Sequence, residues 1–131
     1  TYRGLTDKIP YLRDLGVKAP EPQGAFYNYP DFDAHRADLA KFGVKTSKEL
    51  SEMLLKNYAL ATLPGTAFGA APDVLTLRLS GCDYDGAAAL KAYQSGEKLD
   101  EAFINKNAPR VKASIETFGQ FLKDAKQAKA A

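Results

Sequence analysis

Arg78 stands in the stretch VLTLRLSG, Val74 to Gly81, where leucines recur at every second residue and the alternate positions are Val74, Thr76, Arg78 and Ser80. That alternation predicts a β-strand with one apolar and one polar face, and it puts a guanidinium at the centre of the polar one. A guanidinium is a planar fork of donors that matches the two oxygens of a carboxylate, and it stays charged at any working pH. A strand is a rigid platform for such a fork. The strand by itself leaves two readings open. An arginine on a wet sheet face is the simpler one, and a clamp for an acid is the other.

The remaining reactive side chains have plainer roles. DFD (Asp31 to Asp33) and CDYDG (Cys82 to Gly86) pair carboxylates, but each sits beside an expected helix start, where an acid meets free N–H groups and the positive end of the helix dipole. Capping is the expected role of both. LPGTAFG has two glycines without the spacing of a phosphate-wrapping loop. His35 is the single histidine, so it cannot join a multi-histidine metal site, and it is expected at a surface or a helix start. Cys82 is the single cysteine, which excludes an internal disulfide and gives no metal cluster. No nucleophile lies beside a base, so no catalytic residue and no metal site is expected in this chain.

The elements that must position Arg78 are legible as periods and stops. Residues 5–16 read as a short helix ended by Gly16, followed by an extended connector, VKAPEPQG. AFYNYPDF is aromatic-rich and reads as a strand that Pro30 closes or pushes to a sheet edge. Asp33 is placed to cap a helix over AHRADLAKFG, ending at Gly43. Thr46 and Glu49 have capping-box spacing, and Leu50, Met53, Leu54 and Tyr58 then mark one buried stripe. YALATLPG reads as a second strand stopped by Pro64 and Gly65, and VLTLRLSG as a third.

From Asp83 onward the pattern is helical: AAALKAYQSG to Gly96, KLDEAFINKN, then a long helix with Pro109 in its first turn. In that last helix Val111, Ile115, Phe118, Leu122 and Ala125 repeat at helical steps, a stripe that must dock on this sheet or on another domain. The expected fold is α+β, a small sheet of about three strands with helices packed on one face and a long C-terminal helix.

The totals agree with one domain over residues 1–131, in which 83–131 is a helical extension. Apolar residues make up 45% and charged residues 26%, which suits a globular chain and not a disordered one. A net charge of +2 is too small to imply a nucleic-acid or membrane partner. No apolar run approaches the roughly 20 residues needed to cross a bilayer. The start, TYRGLTDKIP, has neither Met nor a signal-peptide pattern. It reads as a cut inside a longer protein or as a processed end, and the cysteine usage fits a cytoplasmic origin.

Two motifs together resemble one family. PEPQGAFYNYPDFD (Pro20 to Asp33) is similar to the P-x-G-A-F-Y-x-F-P-D segment of class I/II aminotransferases, which use pyridoxal phosphate (PLP). ALATLPGTAFG followed by LTLRLS is similar to that family's V-A-x-x-P-G-S-x-F-G … I-R-L-S segment, and TSKELSEMLLKNY falls where the family has a helix. The likeness covers about residues 10–82 and is nearest in flavour to the prokaryotic aspartate-type branch of fold type I.

It implies that the chain is the C-terminal small domain of such an enzyme. In the family the arginine of I-R-L-S grips the substrate's α-carboxylate, and the matching residue here is Arg78. Phe26 would be a further pocket-lining residue. The resemblance also implies a large PLP-binding domain elsewhere in the protein, amino acid and 2-oxo acid substrates, and a homodimeric parent. This chain departs from the family in having no segment for the Schiff-base lysine, no N-P-T-G segment and a longer stretch after Cys82. PLP is therefore expected in the parent enzyme and not in this chain, which alone would catalyse nothing. The alternative is a non-catalytic ligand-binding or regulatory domain that keeps the aminotransferase-like fold.

Overall fold

The computed structural model describes residues 9–20 and 27–129. Three short strands make one antiparallel sheet: β1 (Tyr27–Asn28), β2 (Leu63–Pro64) and β3 (Leu77–Ser80), in the order β1-β3-β2. Tyr27 lies opposite Ser80 and Asn28 opposite Leu79 on one side of β3, with Leu63 opposite Arg78 and Pro64 opposite Leu77 on the other. Pro64, which has no N–H to give a ladder, therefore sits on an edge strand, where its absence costs least.

β2 and β3 are shorter than their patterns suggest, and β1 ends at Asn28. Pro30 cannot donate but still accepts, from the Leu77 N–H, and beyond it pairing continues only as single bridges from Asp31 to Lys18 and to Thr76. Phe32 N–H donates to the Leu75 carbonyl at 2.9 Å, so the backbones stay together past the last ladder pair.

Leu75, Leu77 and Leu79 all point to one side and are buried, as their period requires. Over them lie α1 (Ile9–Asp14), α2 (Arg36–Lys41), α3 (Ser47–Tyr58) and the long α6 (Pro109–Gln127). The stripe of α6 docks on this chain's own sheet: Ile115, Phe118, Leu122 and Ala125 share one core with the three leucines, and Phe118 stacks on Phe32 at 5.7 Å. Val111, one turn earlier, closes a smaller cluster with Ile104 and Ala108. Ile104 belongs to α5 (Glu101–Asn107), and α4 (Gly86–Gln94) precedes it.

The caps follow the sequence with one change. Thr46 Oγ1 accepts from the Glu49 N–H while Glu49 accepts from the Thr46 N–H, so the capping box starts α3. The N–H of Lys45 adds a third bond, and these donors hold the Glu49 carboxyl below the usual range. Asp85 and Asp100 cap α4 and α5. Asp33, in contrast, does not cap α2. The chain first makes a 3₁₀ turn over Asp33–His35, so the helix begins later, Asp31 accepts the Asp33 N–H, and Asp33 accepts from Arg36. Among the described residues no helix is long and apolar enough to cross a membrane.

Candidate functional site

The period that buries the leucines puts Arg78 on the opposite face of β3, the middle strand, and leaves it half-buried. Two aromatic rings reach it from the two edge strands. Tyr27 of β1 is opposite Ser80, so it is the diagonal neighbour of Arg78 on that face. Its ring centroid lies 4.2 Å from Arg78 Cζ. On the other edge the chain leaves β2 through a 3₁₀ turn, Gly65–Phe68, which sets the Phe68 ring 4.3 Å from the same carbon.

That turn can form only because residue 65 has no side chain. The Gly65 N–H donates to the Thr76 carbonyl at 2.9 Å, and a Cβ there would overlap the Thr76 hydroxyl and stand 2.7 Å from the Tyr29 hydroxyl. Thr76 Oγ1 donates to Tyr29 Oη at 3.1 Å, and the Tyr29 ring meets Phe68 edge-on at 6.3 Å. The floor of the site is thus a fixed set of contacts from three chain segments.

Chemically, the rings cover a delocalised cation with π faces, a contact worth about 0.5–2 kcal/mol each. The donors at the edge of the fork are what the rings leave. Among the described residues no carboxylate lies at ion-pair distance from Arg78; Arg36 and Arg110 pair with Asp33 and Asp83. The same face is apolar around it, with Tyr27, Leu63 and Phe68 each more than two-fifths exposed. Among the described residues the cation has no acid beside it and lies on an exposed aromatic face, and its edge donors have the geometry to meet the oxygens of an anion.

The other candidates fall to structural roles. His35 Nε2 lies 2.6 Å from the Leu15 carbonyl oxygen, tying the end of α1 to the turn before α2. Asp83 pairs with Arg110 at 3.2 Å, and Cys82 is exposed and free. LPGTAFG forms the turn that delivers Phe68. Among the described residues no group of three His, Cys, Asp or Glu is placed to hold a metal ion. Phe26 lies outside the described residues, as does the first part of the helix expected over 5–16. The sequence reading missed Tyr27 and Phe68 as partners of Arg78. Both stood in the quoted motifs, but only the strand register, for Tyr27, and the 3₁₀ turn after β2, for Phe68, bring them to Arg78.

No family model matches the chain. Over 56 residues it is 45% identical to an aspartate aminotransferase of Pinus pinaster, an alignment covering 41% of this chain and 11% of that protein. It is 35% identical over 91 residues to an aspartate aminotransferase of Pyrococcus abyssi, covering 70% of this chain and 18% of that one. Its fold matches the crystal structure of an aromatic aminotransferase from Pyrococcus horikoshii OT3 with a TM-score of 0.59 and 25% identity, over 95% of this chain and 25% of that structure. The chain therefore spans less than a fifth of the length of these curated relatives and about a quarter of the solved structure.

Proposed function

We propose that the chain is a piece of a fold type I aminotransferase, as its likeness to aminotransferases over part of their length supports, and that it is the C-terminal small domain of such an enzyme, binding the substrate's α-carboxylate through Arg78. Residues 1–131 then form one domain, with 83–131 as its helical extension. The observation that carries the reading is the guanidinium between Tyr27 and Phe68, without an acid partner among the described residues. The complete protein would move an amino group between an amino acid and a 2-oxo acid. It would act as a homodimer in the cytoplasm, with a large domain supplying the cofactor site.

PLP supplies the electron sink for that reaction when bound. The described residues do not fit it: no lysine side chain among them is buried, and an imine-forming lysine needs an enclosed site. No cofactor step is assigned to this chain, which is inactive by itself. Its contribution is positional. Two parallel N–H···O bonds from Arg78 to a carboxylate fix both the place and the rotation of the substrate, so its α-carbon needs little further ordering before reaction. The rings shield part of the fork from water, which strengthens those bonds.

Steady-state kinetics of the complete holoenzyme test the reading. Arg78→Lys replaces a bidentate fork by a point charge and should raise KM for the amino-acid substrate by more than about tenfold. An unchanged KM and kcat would remove Arg78 from the site. A complete protein with no transaminase activity toward any amino acid would favour the regulatory alternative.

A further inference from the structure

We propose that Tyr27 and Phe68 are positioning residues that orient the Arg78 fork for its carboxylate, one ring from each edge of the sheet. The inference rests on the reading of Arg78 as a carboxylate clamp and adds the question of what holds the clamp. An arginine side chain has four rotatable bonds, and nothing charged restrains this one among the described residues. A half-buried cation with that freedom would present its donors in many directions, and each bound substrate would have to fix them.

The two rings remove that cost before binding. They approach Cζ at 4.2 and 4.3 Å from opposite sides of β3, Tyr27 from β1 and Phe68 from the turn after β2, which narrows the range of tilt open to the guanidinium. Both residues are anchored. The backbone of Tyr27 is paired to Ser80, and Phe68 is held by the edge of Tyr29 and by a turn built on Gly65. An aliphatic side chain could fill the same space, but it would offer the cation no π face. Aromatic character, and not bulk, is therefore what the site requires at both positions.

The test uses the complete holoenzyme and whichever of L-aspartate, L-glutamate and L-tyrosine it turns over fastest. Phe68→Leu and Tyr27→Leu should each raise KM by about threefold to tenfold, with kcat within about twofold. Phe68→Tyr and Tyr27→Phe, which keep a ring, should restore the KM. In an Arg78→Ala background, Phe68→Leu should add less than about twofold, because its effect passes through the missing guanidinium. The proposal is overturned if the leucine variants leave KM unchanged while Arg78→Lys raises it. It is equally overturned if Phe68→Leu costs as much without Arg78 as with it. If Arg78→Lys itself changes nothing, the underlying clamp reading fails instead.

Discussion

At the scale of single residues, Gly65 is as decisive as Arg78. It sits where the chain leaves β2, and its missing Cβ lets the next three residues turn back over Thr76 and Tyr29 so that Phe68 arrives above the guanidinium. Gly65→Ala would drive a methyl group into the Thr76 hydroxyl and within 2.7 Å of Tyr29 Oη, both held in a bond to each other. Overpacking of that kind costs typically about 1–3 kcal/mol. Thermal unfolding should show it as a fall in Tm of roughly 3–10 °C, and in the holoenzyme KM should rise in the direction expected of Phe68→Leu. A lowered Tm with unchanged KM would mean that the turn yields without carrying Phe68 away. The contrast is Gly69, where a Cβ meets nothing within 4 Å but φ is +87°; there the objection to a side chain is conformational.

At the scale of elements, the joint between α3 and α6 is the most specific one beyond apolar packing. Tyr58 Oη, from the last turn of α3, donates to Asp124 Oδ2 at 2.7 Å, Gln120 Nε2 donates to Asp124 Oδ1 at 2.7 Å, and the Tyr58 ring meets Phe121 edge-on at 5.1 Å. The bond from Tyr58 holds the Asp124 carboxyl below its ordinary value of 3.8, and burial first, then the bond to Asp124, pushes Tyr58 up to about 12. The signs are opposite. The lowered carboxyl contributes stability above pH 3.8 that is lost as pH falls through its folded value. The raised phenol contributes stability below pH 10.0 that is lost as pH rises toward about 12. Tyr58→Phe should lower Tm near neutrality by roughly 2–5 °C and flatten its decline at both ends; an unaltered Tm–pH profile would deny the joint any role. Helices of this kind were legible in the sequence, because Thr46 with Glu49 and the stripe from Val111 to Ala125 are local patterns. The strand ends and the capping of α2 were not, since they depend on what Pro30 and Asp31 meet across the sheet. The same holds for the rings on Arg78: Tyr27 is an i, j±2 neighbour only once a register exists, and Phe68 arrives only once the turn after β2 has formed.

At the scale of the whole molecule, α6 decides whether residues 83–131 are part of the domain or an appendage. Ile115, Phe118, Phe121, Leu122 and Ala125 lie in the same core as Leu75, Leu77 and Leu79, so the sheet loses part of its cover without them. The segment between is attached differently. α4 buries only Ala89, leaves Leu90 and Tyr93 at 55% exposure, and is followed by α5, whose Ile104 packs in the small cluster with Ala108 and Val111. Two truncations separate these roles. Phe118→Ala opens a cavity beneath the sheet at a cost of about 3–5 kcal/mol, a large share of the 5–15 kcal/mol that holds a domain folded. It should speed amide exchange everywhere, strand β3 included. Ile104→Ala removes a contact of the small cluster alone, so exchange should quicken over 84–108 while β3 amides keep their protection. If Ile104→Ala also exposes β3, the extension and the sheet unfold as one unit, and the region after Cys82 supports the Arg78 site directly. If Phe118→Ala leaves β3 protected, the sheet stands without α6 and the single-domain reading falls.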